Sequence, residues 1–337
     1  MRLAGGLRVL ALVTAGLAAA GGGAAAWLSH ALGPRDPAGP VQLFAVPRGS
    51  TLSRVASDLE TAGLVPSELA FQILGRWKGA ASKLHWGEYE LSAAMPAQEI
   101  LALMLEGRVK TWDVTLPEGL TAREIADRLA ASGIVDRAAL EQVLQDEGSA
   151  ARFDVEGPGL EGYLFPDTYR FPRGLSAPEI VGTLVERFRK AWATVAPLAG
   201  AQGLSQRQLV TLASIVEKET GLAAERPLVA SVFRNRLRLG MRLESDPTVI
   251  YGIADFDGNL RRSHLDDAAN AYNTYQIPGL PPGPIASPGQ AALRAVVEPA
   301  ATENLFFVGR GDGSHVFSER YADHLRAVNQ YQRRSSR

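Results

Sequence analysis

Two stretches of the chain carry one pattern of apolar and polar positions, repeated at a constant offset of 70 residues. Val46-Pro47-Arg48-Gly49-Ser50-Thr51 leads into an amphipathic run from Leu52 to Val65, and Leu116-Pro117-Glu118-Gly119-Leu120-Thr121 leads into another from Ala122 to Val135. Pro47 and Pro117, Gly49 and Gly119, Thr51 and Thr121, Leu59 and Leu129, and Gly63 and Gly133 correspond. Each copy predicts a strand, a Pro-x-Gly turn, a Thr N-cap and a helix closed by glycine. Two copies are too few for a solenoid, so the pattern is either a common strand-to-helix turn used twice or a pair of related small modules. Lys83 to Leu91 and Val109 to Leu116 read as strands. Their Trp86, Tyr89 and Trp112 offer either a sugar-stacking surface or half-buried core. Beyond residue 136 the apolar period predicts helices over 136–147, 177–194, 205–219 and 225–239, followed by loops rich in Gly and Pro. The fold class is α+β.

The N-terminus has a different pattern. Val9 to Leu28 is a 20-residue run of Val, Leu, Ala and Gly with one Thr and one Trp, preceded by Arg2 and Arg8. No charged residue follows until Arg35. Such a run is long enough to cross a hydrocarbon core of about 30 Å. The flanking positive charge puts the N-terminus in the cytoplasm, and Trp27 sits where an interfacial aromatic belongs. The small-residue patterns at Ala18–Ala20 and Ala24–Ala26 leave a cleaved signal peptide as the alternative. In both cases the bulk of the chain is exported. The expected organisation is a cytoplasmic N-terminus over 1–8, a transmembrane anchor over 9–29, a Pro/Gly linker over 30–40, a small module over 41–110 and a larger α+β domain over 111–337.

Composition narrows the chemistry. The 337 residues hold 35 Lys+Arg against 36 Asp+Glu, a net charge of −1. That balance speaks against nucleic acid as a partner. The chain has no cysteine, which excludes thiol catalysis and Cys-based metal sites. His30, His85, His264, His315 and His324 are scattered with no H-E-x-x-H, so no metal is expected. There is no G-x-S-x-G elbow and no phosphate-binding G-x-x-x-x-G-K-[ST] loop. Carboxylate chemistry without a cofactor remains.

The strongest carboxyl lies on the predicted helix Ser205–Thr220, with Ser205 as N-cap and Gly221 as stop. At about 100° per residue, Leu209, Leu212, Ala213 and Val216 form one apolar stripe. Glu219 falls at its edge where the helix ends, Glu217 on the opposite flank, and Lys218 away from the core. An apolar wall beside an opening disfavours the ionised form of Glu219 and suits a general acid; the plain alternative is a pair of solvated helix charges. Downstream, Asp246-Pro247-Thr248 signals a turn opening a short helix. Asn273, Tyr275 and the rigid loop Gly279 to Gly289 supply polar, mostly neutral groups for a cleft, or simply a packed surface.

Several blocks in order then resemble a known family: LEGYLFPDTYRF (Leu160 to Phe171), ASIVEKET (Ala213 to Thr220), RNRLRLGMRLESDPTVIYG (Arg234 to Gly252), AYNTY (Ala271 to Tyr275), GLPPGPIASPG (Gly279 to Gly289) and LFFVGRGDGSHVFS (Leu305 to Ser318). Together they are similar to the endolytic murein transglycosylases (MltG or YceG-like), over nearly the whole chain. The resemblance implies a single-pass protein of the bacterial inner membrane with a periplasmic catalytic domain and a LysM-like module before it. It implies cleavage within nascent peptidoglycan strands, between MurNAc and GlcNAc, to leave 1,6-anhydro-MurNAc ends and so terminate elongation. Peptidoglycan synthases (penicillin-binding proteins) are the implied partners, and no cofactor is implied. Glu219 becomes the expected catalytic acid/base, with Glu217, Asp246, Thr248, Asn273 and Tyr275 as expected substrate-binding residues. Two other readings stay open: a non-catalytic peptidoglycan-binding scaffold for the synthases, and hydrolysis to a reducing end.

Overall fold

A computed structural model describes residues 21–200 and 203–332. The expected membrane span lies largely outside the described residues; residues 21–31 are helical. Among the described residues, no helix is long and apolar enough to cross a membrane. The chain divides into two compact units, Met1–Trp112 with Pro172–Gly174, and Asp113–Phe171 with Leu175–Arg337.

The first unit runs β1 (Val41–Val46), α1 (Leu52–Thr61), α2 (Glu68–Trp77), β2 (Gly87–Ser92) and α3 (Ala97–Glu106). β1 and β2 are antiparallel, with Val41 opposite Ser92 and Val46 opposite Gly87. The Thr51 hydroxyl caps α1 by accepting the Arg54 N–H at 3.2 Å. Gly63, at φ +74°, closes the helix: its own N–H reaches Glu60 O, and the Leu64 N–H reaches Leu59 O. Glycine tolerates that left-handed step without a Cβ penalty. Phe44, Val55, Leu59, Phe71, Tyr89 and Ile100 make up the centre of this unit's core. The second strand starts at Gly87 rather than Lys83, because the backbone ahead of it is turned toward α3, with the His85 N–H on Met104 O.

Of the aromatics considered for sugar stacking, Tyr89 is fully buried, its hydroxyl donating to His85 O at 2.7 Å. The faces of the other two rings carry cations. Arg48 lies 3.9 Å from the centroid of Trp86, and Arg173 lies 4.2 Å from that of Trp112. Their contacts are internal, as the burial of large aromatic surface favours.

The second unit opens on the same path: β3 (Trp112–Leu116), α4 (Ala122–Ala131), α5 (Arg137–Gln145), and β4 (Asp167–Phe171), which pairs with β3. Thr121 and Glu124 form a capping box at the start of α4, and Gly133 closes the helix at φ +71°. Since both copies continue into a second helix and a returning strand, they are related modules rather than one turn used twice. The Ala122 N–H goes to Glu161, 3.0 Å from Oε1. Thr121→Ala is expected to cost about 1 kcal/mol of stability, read by urea unfolding, through loss of the N-cap acceptor.

The remainder comprises α6 (Ala177–Ala193), α7 (Gln206–Glu219), α8 (Arg226–Arg238), α9 (Asp246–Tyr251), α10 (Gln290–Val297), the hairpin of β5 (Phe306–Gly309) and β6 (His315–Ser318), and α11 (Tyr321–Tyr331). In α7 the single apolar stripe expected from periodicity is replaced by burial on every side. Each residue from Leu209 to Val216 is at most 2% exposed, Thr211 and Ser214 included. These two hydroxyls are satisfied within the helix, on Arg207 O and Thr211 O, which is how polar residues enter a fully buried turn. α8 and α10 pack against α7. The loop from Gly279 to Gly289 is tied down as well: Ser214 Oγ accepts the Ile285 N–H, and the Ser287 N–H donates to Leu120 O at 2.7 Å.

Candidate active site

Glu219 is the last residue of α7; Thr220 leaves the helix in extended geometry, at φ −142° and ψ 132°. The Glu219 side chain lines a cleft of about 420 Å³, together with Arg236, Glu244, Asp246 and Tyr275 and the apolar Leu243 and Phe307. Its Oε1 accepts the hydroxyl of Ser245. Burial lifts the Glu219 carboxyl to about 7. The Ser245 hydrogen bond pulls it down, the Asp246 charge pushes it up, and Arg236 pulls it down again. Desolvation prevails, so near neutrality this carboxyl is poised between acid and base.

Several interactions hold Ser245 in place. Glu244, just before it, occupies the left-handed region at φ +52°, a costly conformation for a residue with a Cβ. The Glu244 carboxylate holds Arg236 Nη1 at 3.0 Å, and the same guanidinium nitrogen donates to the carbonyls of Arg242 and Leu243. The Ser245 N–H donates to Thr274 Oγ1 at 3.0 Å. Backbone strain so thoroughly fixed by neighbours is characteristic of a functional site.

The expected binding residues divide into two groups. Asp246 and Tyr275 line the cleft, and the Tyr275 hydroxyl donates to Asp246 Oδ1 at 2.7 Å. Thr248, Asn273 and Glu217 do not line it. Thr248 is fully buried, its hydroxyl shared between Ser245 O and Thr274 Oγ1 at 2.7 and 2.8 Å. Asn273, also fully buried, donates to the carbonyls of His264, Leu265 and Asp267 and accepts the Tyr275 N–H. Both shape the loop that presents Tyr275. Glu217 forms a buried pair with Arg226 at 2.8 Å, the side chains only 5% and 10% exposed, and its other oxygen accepts the Gly289 N–H at 3.0 Å. Its carboxylate is fully engaged in packing. Likewise the Thr220 hydroxyl is turned away, toward Glu225 and the Leu222 N–H.

Sequence reading missed Ser245, which holds the Glu219 carboxyl, and among the wall residues Arg236, His315 and His324. Ser245 and Arg236 lie inside a quoted block with no period to mark them. His315 and His324 come from β6 and α11, a region read as loop because four-residue strands are too short to show alternation. Glu225 accepts from the His315 ring at 2.6 Å and from its backbone N–H at 2.9 Å. Burial pushes the Glu225 carboxyl up, but these bonds and the neighbouring imidazole outweigh it and hold it below the usual range. Burial, followed by Arg236, keeps His324 below the ordinary histidine value.

With Glu219 as acid, the rate falls as pH rises through about 7. Burial lifts Glu161 to about 7 as well, so the assignment of that limb rests on a variant touching only Glu219. Ser245→Ala removes a hydrogen bond that favours the ionised form; its limb is expected to move to higher pH in a rate–pH profile.

A cleft built around one carboxyl of elevated pKa, on a helix end in an α+β fold, defines an acid/base site. Residues 44–330 match the YceG-like family, and the chain belongs to that family. It is 31% identical over 302 residues to the endolytic murein transglycosylase of Bacillus subtilis, covering 85% of this chain and 83% of that protein. It is 28% identical over 320 residues to the protein of the same name from Streptococcus pneumoniae, covering 85% of this chain and 57% of that one. A crystal structure of a YceG-like protein from Listeria monocytogenes superposes with a TM-score of 0.59 at 30% identity, covering 86% of this chain and 99% of that one.

Proposed function

We propose that the protein is an endolytic lytic transglycosylase of peptidoglycan with Glu219 as its single acid and base. The observation that carries this reading is the Glu219 carboxyl itself, lifted to about 7 and held by Ser245 at the wall of a polar cleft. Protonated Glu219 gives its proton to the glycosidic oxygen between MurNAc and GlcNAc as C1 of MurNAc becomes oxocarbenium-like. The bond breaks, and GlcNAc leaves with a free 4-hydroxyl. The 6-hydroxyl of the same MurNAc attacks C1 and returns its proton to Glu219, closing a 1,6-anhydro ring without consuming water. Most glycosidases need a second carboxylate as nucleophile or to activate water; an intramolecular hydroxyl takes that place and gains a large effective molarity. Asp246 and Tyr275 hold the sugar, and Arg236 fixes the loop around Ser245.

In this reading residues 9–29 anchor the chain in the bacterial inner membrane with the cleft on the periplasmic side, beside the penicillin-binding synthases whose nascent strands it cuts and so terminates. The small module at 41–110 is then a LysM-like glycan-binding module. Mass spectrometry of digested sacculi tests the chemistry. Anhydro ends are expected. Reducing ends, heavier by one water, would instead assign the second step to hydrolysis, and sacculus binding without new ends would make the protein a scaffold.

A further inference from the structure

Glu161 is a buried carboxyl that does not line the Glu219 cleft and takes no part in the chemistry assigned to it. Its surroundings are donors. The Ala122 N–H, at the first turn of α4, lies 3.0 and 3.2 Å from its two oxygens, and the Tyr251 hydroxyl donates to Oε2 at 3.1 Å. The Gly162 N–H adds a third donor. Burial lifts the Glu161 carboxyl to about 7, these donors pull it down, and Glu124 on α4 pushes it up. A carboxylate suits this place because it accepts on both oxygens. An amide would have to turn an N–H toward one of the donors.

The carboxyl is mounted on a fixed point. Gly162 follows it at φ +85°, and a Cβ there would come within 2.6 Å of Pro284 and 2.9 Å of Val210, so the backbone lies directly against α7 and the 279–289 loop. From this point Glu161 holds the end of α9. Tyr251 is the last residue of that helix, Asp246 is the first, and the preceding Ser245 grips Glu219. The Tyr251 ring also packs on Tyr272, centroids 4.7 Å apart, in the loop that presents Tyr275. One hydroxyl therefore ties both cleft-forming segments to the same support. A helix of six residues is only about 9 Å long, so a shift at Tyr251 reaches Ser245 with little damping.

We propose that Glu161 is a positioning residue: through the Tyr251 hydroxyl it sets where α9 holds Ser245 against the Glu219 carboxyl. The proposal rests on the reading of Glu219 as the acid and base. The Ser245 hydrogen bond favours the ionised form of Glu219, so an α9 released at its far end weakens that bond and lets the Glu219 carboxyl rise. The direction is diagnostic, because loss of the Glu161 charge by itself pulls Glu219 down.

Tyr251→Phe isolates the link, since it removes one hydroxyl and keeps the ring against Tyr272. The Glu219 carboxyl is followed by carbon NMR titration of the full-length protein labelled at its glutamate carboxyls, the signal being assigned by its absence from Glu219→Gln. Tyr251→Phe is expected to move the Glu219 midpoint to higher pH, as Ser245→Ala does, and the two substitutions together to move it no further than Ser245→Ala alone. Glu161→Gln is expected to move it in the same direction. In sacculus digests Tyr251→Phe lowers kcat about tenfold with KM nearly unchanged, the pattern of a displaced catalytic group. An unmoved Glu219 midpoint in Tyr251→Phe overturns the proposal. So does a shift that adds in full to that of Ser245→Ala, which would put the two effects on separate routes. Failure of the transglycosylase reading would appear elsewhere, in wild-type digests that gain no chain ends, and leaves the titration to decide the role of Glu161.

Discussion

Glu219→Gln releases no anhydro-ended muropeptides from sacculi at a rate within about a thousandfold of the parent, in line with the 10²–10⁴ that a positioned general acid contributes. The amide keeps the size of the carboxyl and an oxygen for the Ser245 hydroxyl, so the cleft keeps its shape and glycan binding persists. A second measurement separates loss of chemistry from loss of fold. The Glu219 carboxyl sits at about 7 in the folded chain against an ordinary 4.5. A raised carboxyl is unpenalised below the unfolded value; its cost to folding grows as pH rises from there and is complete above the folded value. The variant escapes that cost, which is at most a few kcal/mol. Glu219→Gln is therefore expected to melt above the parent at pH 8 and beside it at pH 4. Retained cleavage, or a lower melting temperature at pH 8, would remove Glu219 from its role.

Much of this site could be read from the chain itself, for reasons local to it. The Ser205 cap, the apolar run and the stop after Thr220 put Glu219 at a helix end, and the duplicated Thr caps and closing glycines recur at Thr51, Thr121, Gly63 and Gly133. Periodicity misled where burial is complete. A helix enclosed all round needs no polar face, so the stripe that set Glu219 at its edge and Glu217 on the opposite flank gave no sign that Glu217 is buried against Arg226. Residue type misled in Thr248 and Asn273, whose polar groups serve backbone carbonyls and a neighbouring threonine instead of a ligand. Long-range pairing was beyond reach in principle. Nothing in the sequence joins Glu225 to His315 across 90 positions, or Ser245 to Glu219 across 26, until the core forms.

The largest loss of stability is expected at Arg226. Its guanidinium lies 2.8 Å from Glu217 and 3.4 Å from Glu118, and Glu217 also takes the Gly289 N–H, so one buried charge cluster ties the end of α7 to the starts of α8 and α10. A Cβ added at Gly289 would come within 1.7 Å of Glu118 Oε1, so a side chain there would displace that carboxyl. Burial and the Glu217 charge already raise the Glu118 carboxyl, with Arg226 opposing them. Arg226→Met leaves the buried Glu217 carboxyl without its cation and beside a second carboxyl, at a cost of about 3–5 kcal/mol. The cost belongs to the orphaned partner rather than to the pair. Replacing both residues, as Glu217→Gln with Arg226→Met, is accordingly expected to recover most of the stability in a double-mutant cycle by urea unfolding. Since Glu219 follows Glu217 by two residues on the same helix turn, the single variant should lose cleavage along with stability, and the double should regain part of both. A double variant no more stable than Arg226→Met would mean that the cluster acts through packing alone, and that Glu219 is held in the cleft by the loop around Ser245 instead.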